Sequence, residues 1–307
     1  MVTAARTSIT GLDSVLRVVN RAYKASKSWF SPFVRYYPAG HFYSPLPDLS
    51  AIRSQAQHEL DQHSFLGIDL HVQSQCELLK AFSAYYAEIP FPETAASSNR
   101  YYYQNRFFSY GDAIVLYSML RHFQPKKLVE VGSGFSSAVM LDTKDRFLAK
   151  DTQFTFIDPY PERLLGLLNS DDQQQHLILQ QTVQHTDLAY FEALNAGDIL
   201  LIDSSHVVKV GSDVGYLVFQ VLPRLKPGVI IHFHDIFWSF DYPQSWLEDG
   251  IAWNEAYFLR AFLQYNTSFE ILYFNSFMSQ FHTVEVERSL PMCLKNPGGS
   301  LWLKKVK

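Results

Sequence analysis

Residues 128–136 read L-V-E-V-G-S-G-F-S: a run of β-formers enclosing an acid, two glycines one residue apart, then small hydroxylated residues. The run predicts a buried strand over 127–132, and the segment behind the glycines predicts a helix over 135–148. Glycines between a strand and a helix let backbone approach a ligand closely. A helix start adds N–H groups that have no partner inside the helix.

The same alternation continues outward from this turn. A helix at 110–123 leads in, and strands are expected at 153–158, 176–181, 198–203 and 228–234. Helices are expected between them at 161–168, 187–195 and 208–225. A helix at 253–265, a strand at 269–275 and a last strand near 300–305 follow. No helix is read between the last two strands, so they are expected to form an antiparallel hairpin at the sheet edge. The strands are continuous apolar runs such as I-L-L-I-D and V-I-I-H-F, the pattern of a sheet covered by helices on both faces. The fold class is therefore α/β: a Rossmann-like, doubly wound, mostly parallel sheet with an antiparallel edge strand.

Residues 1–106 read differently and are expected to form a helical extension or lid ahead of a domain spanning 107–307. Segments 11–29, 50–64 and 71–88 have helical spacing. The stretch 31–48, rich in proline and aromatics, forbids regular structure. Within it, P-A-G-H-F-Y-S-P at 38–45 is expected to form a lid over the substrate with the loop F-W-S-F-D-Y-P-Q-S-W at 237–246. Phe108, Ser109 and Tyr110, just before the sheet, are expected to touch the cofactor.

Bulk composition removes several functions. Apolar residues make up 47% of the 307 and charged residues 18%, enough for a large core. A net charge of −4 offers no footprint for a phosphate backbone, so no nucleic-acid partner is expected. No window has the length of a membrane span, and no secretory signal is read at the N-terminus. Two distant cysteines fit no metal or redox spacing, and a reduced, cytoplasmic protein is expected. A small-molecule substrate is the expected partner, and a homodimer is compatible with it.

The ligand at the glycine turn follows from Glu130. A dinucleotide turn wants a third glycine where this chain has Ser137, and an acid inside the strand sits poorly against a pyrophosphate. It sits well against an ammonium group. The acid followed by G-x-G resembles the first motif of class I S-adenosylmethionine-dependent methyltransferases. That resemblance implies a cofactor site of Glu130, Gly132, Ser133, Gly134 and Ser136. Asp158, 26 positions beyond Gly132 at the tip of the second strand, would take the ribose hydroxyls. Val183 and Gln184, after the third strand, would meet adenine, and Asp203 would border the cofactor.

The fourth and fifth strands end in I-D-S-S-H (202–206) and H-F-H-D (232–235). Asp203, His206, His234 and Asp235 are expected to meet beside the glycine turn. His232 is expected to point to the other sheet face as a core histidine, and Asp213 to be solvated or structural. I-D-x-x-H, then a K-P-G turn, then H-D resembles a bacterial group of small-molecule O-methyltransferases related to macrolide sugar O-methyltransferases and cephalosporin hydroxylases. Methyl transfer needs an oxygen nucleophile held near the methyl carbon and relieved of its proton. Asp203, His206 and His234 are the catalytic candidates. The resemblance also implies a divalent metal on Asp203, His234 and Asp235. Magnesium prefers oxygen ligands, and a histidine suits manganese or iron better. Two other readings share these residues: a metalloenzyme of the same fold with hydroxylase-like chemistry, and a non-catalytic cofactor-binding protein.

Overall fold

The structure, a computed structural model, describes residues 33, 36–54 and 65–307. The expected helix at 11–29 lies outside the described residues, as does most of that at 50–64, of which Leu49–Ser54 is helical. Within the stretch expected to lack regular structure, Phe33 and Tyr36 are helical, and residues 37–48 are irregular. Leu49–Ser54 packs with helix Gln244–Glu248 in one small compact unit, where Arg53 Nε lies 3.8 Å from Glu248 Oε1. Residues 65–242 and 253–307 form the other unit.

Seven strands make a single sheet in that larger unit: β1 Lys127–Val131, β2 Gln153–Ile157, β3 Leu177–Leu179, β4 Ile199–Ile202, β5 Ile230–Phe233, β6 Phe269–Phe274 and β7 Leu301–Lys305. Their order is β3-β2-β1-β4-β5-β7-β6. The first five are mutually parallel. β7 runs antiparallel to both β5 and β6, between which it lies. The last two strands thus pair antiparallel at the sheet edge as expected, but the helix-free connection read between them is corrected. Residues 275–300 instead carry helices Asn275–Phe281 and Thr283–Ser289 and a 3₁₀ turn at Pro291–Lys295.

Helix Tyr110–Phe123 explains much of the core. Every residue from Gly111 to Leu120 is buried, so the helix has no solvated face. It packs against Phe135–Phe147 on one side and against Val72–Tyr86 and Pro291–Lys295 on others. The expected helix at 208–225 is broken. Gly211 takes a positive φ of 74°, and Ser212 caps a first turn by accepting from the Gly215 N–H at 3.1 Å. The segment then passes through π and 3₁₀ geometry, with Pro223 in the 3₁₀ turn.

Register fixes where chemistry can occur. Val131 pairs with Ile157 and Ile202, and Ile202 with Phe233, so four strand ends are level. Each ladder runs one residue further. Asp203 N–H donates to Val131 O at 2.9 Å, His234 N–H to Ile202 O at 3.0 Å and Gly132 N–H to Ile157 O at 2.9 Å. Gly132, Asp158, Asp203 and His234 therefore share one edge. The order of the sheet reverses between β1 and β4, the place where ligands enter open α/β sheets.

Candidate active site

At the glycine turn the backbones of two strand tips nearly touch. A Cβ on Gly132 would sit 1.8 Å from the Asp203 carbonyl oxygen, and the residue has φ 82°. The next two amides are internally used: Ser133 N–H donates to Asp158 Oδ2 at 2.9 Å, and Gly134 N–H to Ser137 Oγ at 3.0 Å. Asp158 also accepts from the Tyr160 N–H at 2.8 Å, so it braces the turn it was expected only to face.

Glu130 is fully buried. It accepts from Ser136 Oγ at 2.5 Å and from Ser137 Oγ, stitching the strand to the first turn of the helix behind it. Burial pushes its pKa up to about 8, against the lowering effect of those two hydroxyls. Ser133 Oγ, Gln184 Oε1 and Ser204 Oγ are buried without a hydrogen-bond partner among the described residues. They follow β1, β3 and β4, on the sheet edge that carries the glycine turn. Buried polar groups are ordinarily paired, and a polar ligand would pair these. Val183 is buried in the 3₁₀ turn beside Gln184, whose Nε2 donates to Gly211 O at 2.9 Å. The residues present therefore fit a nucleoside bearing polar groups.

Beyond the turn, His206 Nε2 and His234 Nδ1 approach the same oxygen, Asp203 Oδ1, at 3.4 and 3.3 Å. Asp235 Oδ2 lies 3.7 Å from His206 Nε2 and 3.6 Å from His234 Nδ1. Each imidazole is backed on its far nitrogen by a buried carboxylate. Glu255 Oε2 is 2.9 Å from His206 Nδ1, and Asp112 Oδ2 is 3.6 Å from His234 Nε2. The Phe108 ring stacks on His234 at 5.1 Å. His206 and Asp235 adopt φ of 58° and 56°. Left-handed backbone costs non-glycine residues energy, and here it falls on two residues of one cluster.

Burial opposes charge on His206, but hydrogen bonds with Asp203 and Glu255 and their negative charges prevail, pushing its pKa up to about 10. Burial likewise opposes charge on His234, and the charges of Asp203 and Asp235 hold its pKa well above the ordinary histidine value. Burial opposes charge on Asp203 too, but the charges of His234 and His206 and their hydrogen bonds together hold it well below the usual carboxylate range. His206 binds its proton more tightly folded than unfolded, so its contribution is complete below its ordinary value of 6.5 and fades as pH rises toward about 10. Thermal unfolding of His206→Gln should show its largest deficit against the parent near pH 6. The deficit should shrink steadily toward pH 10, and a constant deficit would contradict the charge assignment.

The sequence-predicted cluster is thus brought together, with departures. His232 lies on the same face as His234, not the opposite one, because positions two apart on a strand share a face; their rings are 6.0 Å apart. It is a core residue, fully buried, with Nε2 2.9 Å from Ser300 Oγ and Trp302 against its ring. Ser109 Oγ donates to Tyr103 O, and the Tyr110 ring stacks on Tyr103. Asp213 fixes the loop after β4 by accepting from Ser205 N–H and Oγ.

The implied metal set does not fit as arranged. Asp203, His234 and Asp235 pair with one another, and an imidazole nitrogen that carries a proton offers no lone pair to a cation. Among the described residues, no group of three or more His, Cys, Asp or Glu side chains is placed to hold a metal ion. Reading the sequence missed Asp112 and Glu255. Both sit in the first turn of a helix, where an acid needs no special explanation.

The sheet order and the glycine turn at the strand tips define a Rossmann-like α/β domain. A sequence family described as a methyltransferase domain matches residues 129–236. An uncharacterized protein of Archaeoglobus fulgidus is 32% identical over 167 residues, covering 52% of this chain and 74% of that one. Similar solved structures include the O-methyltransferase TomG from Streptomyces achromogenes, in complex with S-adenosylmethionine (11% identity, 75% and 90% of the two chains, TM-score 0.40). Another is the S-adenosylhomocysteine-bound methyltransferase PaMTH1 of Podospora anserina (12% identity, 77% and 94%, TM-score 0.42). The chain carries a class I S-adenosylmethionine-dependent methyltransferase domain. Among its described residues no helix is long and apolar enough to cross a membrane.

Proposed function

We propose that the protein methylates a hydroxyl group of a small molecule, with Asp203, His206 and His234 managing the proton that the hydroxyl loses. The observation that carries this reading is the meeting of both imidazoles on one carboxylate oxygen, at the strand tips that flank the glycine turn. Glu130, Gly132, Ser133, Gly134 and Ser136 frame the methionine end of the cofactor in this reading. Asp158 takes the ribose, and Val183 and Gln184 take the adenine. S-adenosylmethionine supplies an electrophilic methyl carbon on a positively charged sulfur.

That charge matters to the histidines. In the cluster both imidazoles are held protonated by carboxylates on every side. Positive charge entering the crevice disfavours a second positive charge nearby, and so favours the neutral form that accepts a proton. Asp203 and Asp235 then stabilise the imidazolium that forms when the substrate hydroxyl gives up its proton. A positioned base of this kind contributes about 10²–10⁴-fold in rate.

The test uses S-adenosylmethionine carrying a deuterated methyl group, a panel of phenolic, sugar and aliphatic hydroxyl compounds, and mass spectrometry. The reading predicts a labelled methyl ether from at least one acceptor, formed equally well with EDTA present. Turnover that vanishes with EDTA and returns with a divalent ion would revive the metal reading. Methylation confined to nitrogen or carbon acceptors would contradict it.

A further inference from the structure

One short segment, Trp253–Asn254–Glu255, holds His206 and its neighbours from behind. The Asn254 and Glu255 N–H groups both donate to His206 O at 3.2 Å. Asn254 Oδ1 accepts from the Val208 N–H at 2.6 Å, and its Nδ2 donates to Val208 O at 3.2 Å. The Trp253 ring lies 4.3 Å from the His206 ring. Glu255 completes the grip from Nδ1 at 2.9 Å, with both side chains buried. Two ordinary helical caps would not need this much. The contacts fix the carbonyl, the ring plane and one ring nitrogen of a residue whose φ of 58° must be imposed from outside.

An imidazole has two inequivalent nitrogens, and the hydrogen bond on one decides what the other can do. We propose that Trp253–Asn254–Glu255 is a positioning latch for His206, in which Glu255 accepts the Nδ1 proton and so reserves Nε2 for Asp203, Asp235 and the substrate. Trp253 prevents the ring from turning over, and Asn254 holds the backbone that carries it. The alternative is a packing role for Glu255. A buried carboxylate is a poor choice for packing, since an apolar side chain of similar size serves as well or better. Glu255 Oε1 has no hydrogen-bond partner among the described residues, so the carboxylate's one bond is the one to His206.

This inference rests on the proposed role of His206 in proton transfer, and it is separable from it by experiment. Protein labelled with ¹⁵N-histidine should show a low-field ring N–H resonance, protected from solvent exchange, with a nuclear Overhauser contact to the Trp253 indole. In Glu255→Gln that resonance should move upfield and exchange faster. An unchanged resonance in Glu255→Gln would overturn the latch. So would its absence from the parent protein, a result that needs no variant to fold. Calorimetry of the parent protein with S-adenosylhomocysteine separates the two ideas. Absence of heat alongside an intact resonance contradicts the functional reading and supports the latch.

Discussion

Gly132→Ala is expected to abolish measurable binding of S-adenosylhomocysteine and to destabilise the protein. The new Cβ would lie 1.8 Å from the Asp203 carbonyl oxygen and 2.7 Å from its carbonyl carbon. Neither atom can retreat cheaply, because the Asp203 N–H is bonded to Val131 O within the β1–β4 ladder. The φ of 82° adds strain of about 1–3 kcal/mol for a residue with a side chain. Pushing β4 away also displaces the carboxylate on which His206 and His234 converge. Gly134→Ala should be milder. Its Cβ would meet the Cδ of Arg163, on a flexible exposed side chain, at 2.9 Å, and its φ of 176° suits any residue. Calorimetry and thermal unfolding of the two variants check the contrast, and equal damage from both would contradict it.

The second large effect belongs to Arg100. Its side chain is 6% exposed and bonds three aspartates: Asp142 at 2.9 Å, Asp145 at 2.7 Å and Asp172 at 2.6 Å. The Asp142 carboxylate also accepts the backbone N–H groups of Arg100 and Tyr101. Arg100→Leu leaves Asp142 and Asp172 buried without their cation. The expected cost is about 3–5 kcal/mol, the usual penalty for breaking a buried pair by removing one partner. The midpoint of denaturant unfolding measures it. By contrast, the exposed Arg224–Glu192 pair at 3.6 Å should be worth less than about 1 kcal/mol. A loss of that small size in Arg100→Leu would show that the network is dispensable.

The parallel sheet was legible because its signal is local. Runs such as I-L-L-I and I-I-H-F are buried throughout in the structure, and the G-S-G turn stands where β1 meets its helix. The tips of β4 and β5 could be placed together because register follows once the strands are known. What escaped notice depends on distant pairing. Nothing near residues 301–305 says that β7 inserts between β5 and β6, since that choice is made by the face β5 leaves uncovered. Arg100 falls in a stretch read as part of a separate extension, yet its partners are on Phe135–Phe147 and beside β3.

The site followed the same division. Asp203, His206, His234 and Asp235 are unusual residues at strand ends, and their type and position announced them. Asp112 and Glu255 are ordinary in type and place. Only the fold brings Asp112 to Ser300 and His234, and Glu255 to His206. The error over His232 was one of period, and the structure returns it to the face that a strand's two-residue repeat assigns.

An adenosyl sulfur compound is expected to lodge at the strand ends where the sheet order reverses between β1 and β4. Titrating the purified protein with S-adenosylhomocysteine in a calorimeter addresses that directly. The prediction is a saturable heat with one site per chain, weakened at least about tenfold in Asp158→Ala through loss of a charged hydrogen-bond acceptor. A flat titration of the parent protein, or binding indifferent to Asp158, would contradict it.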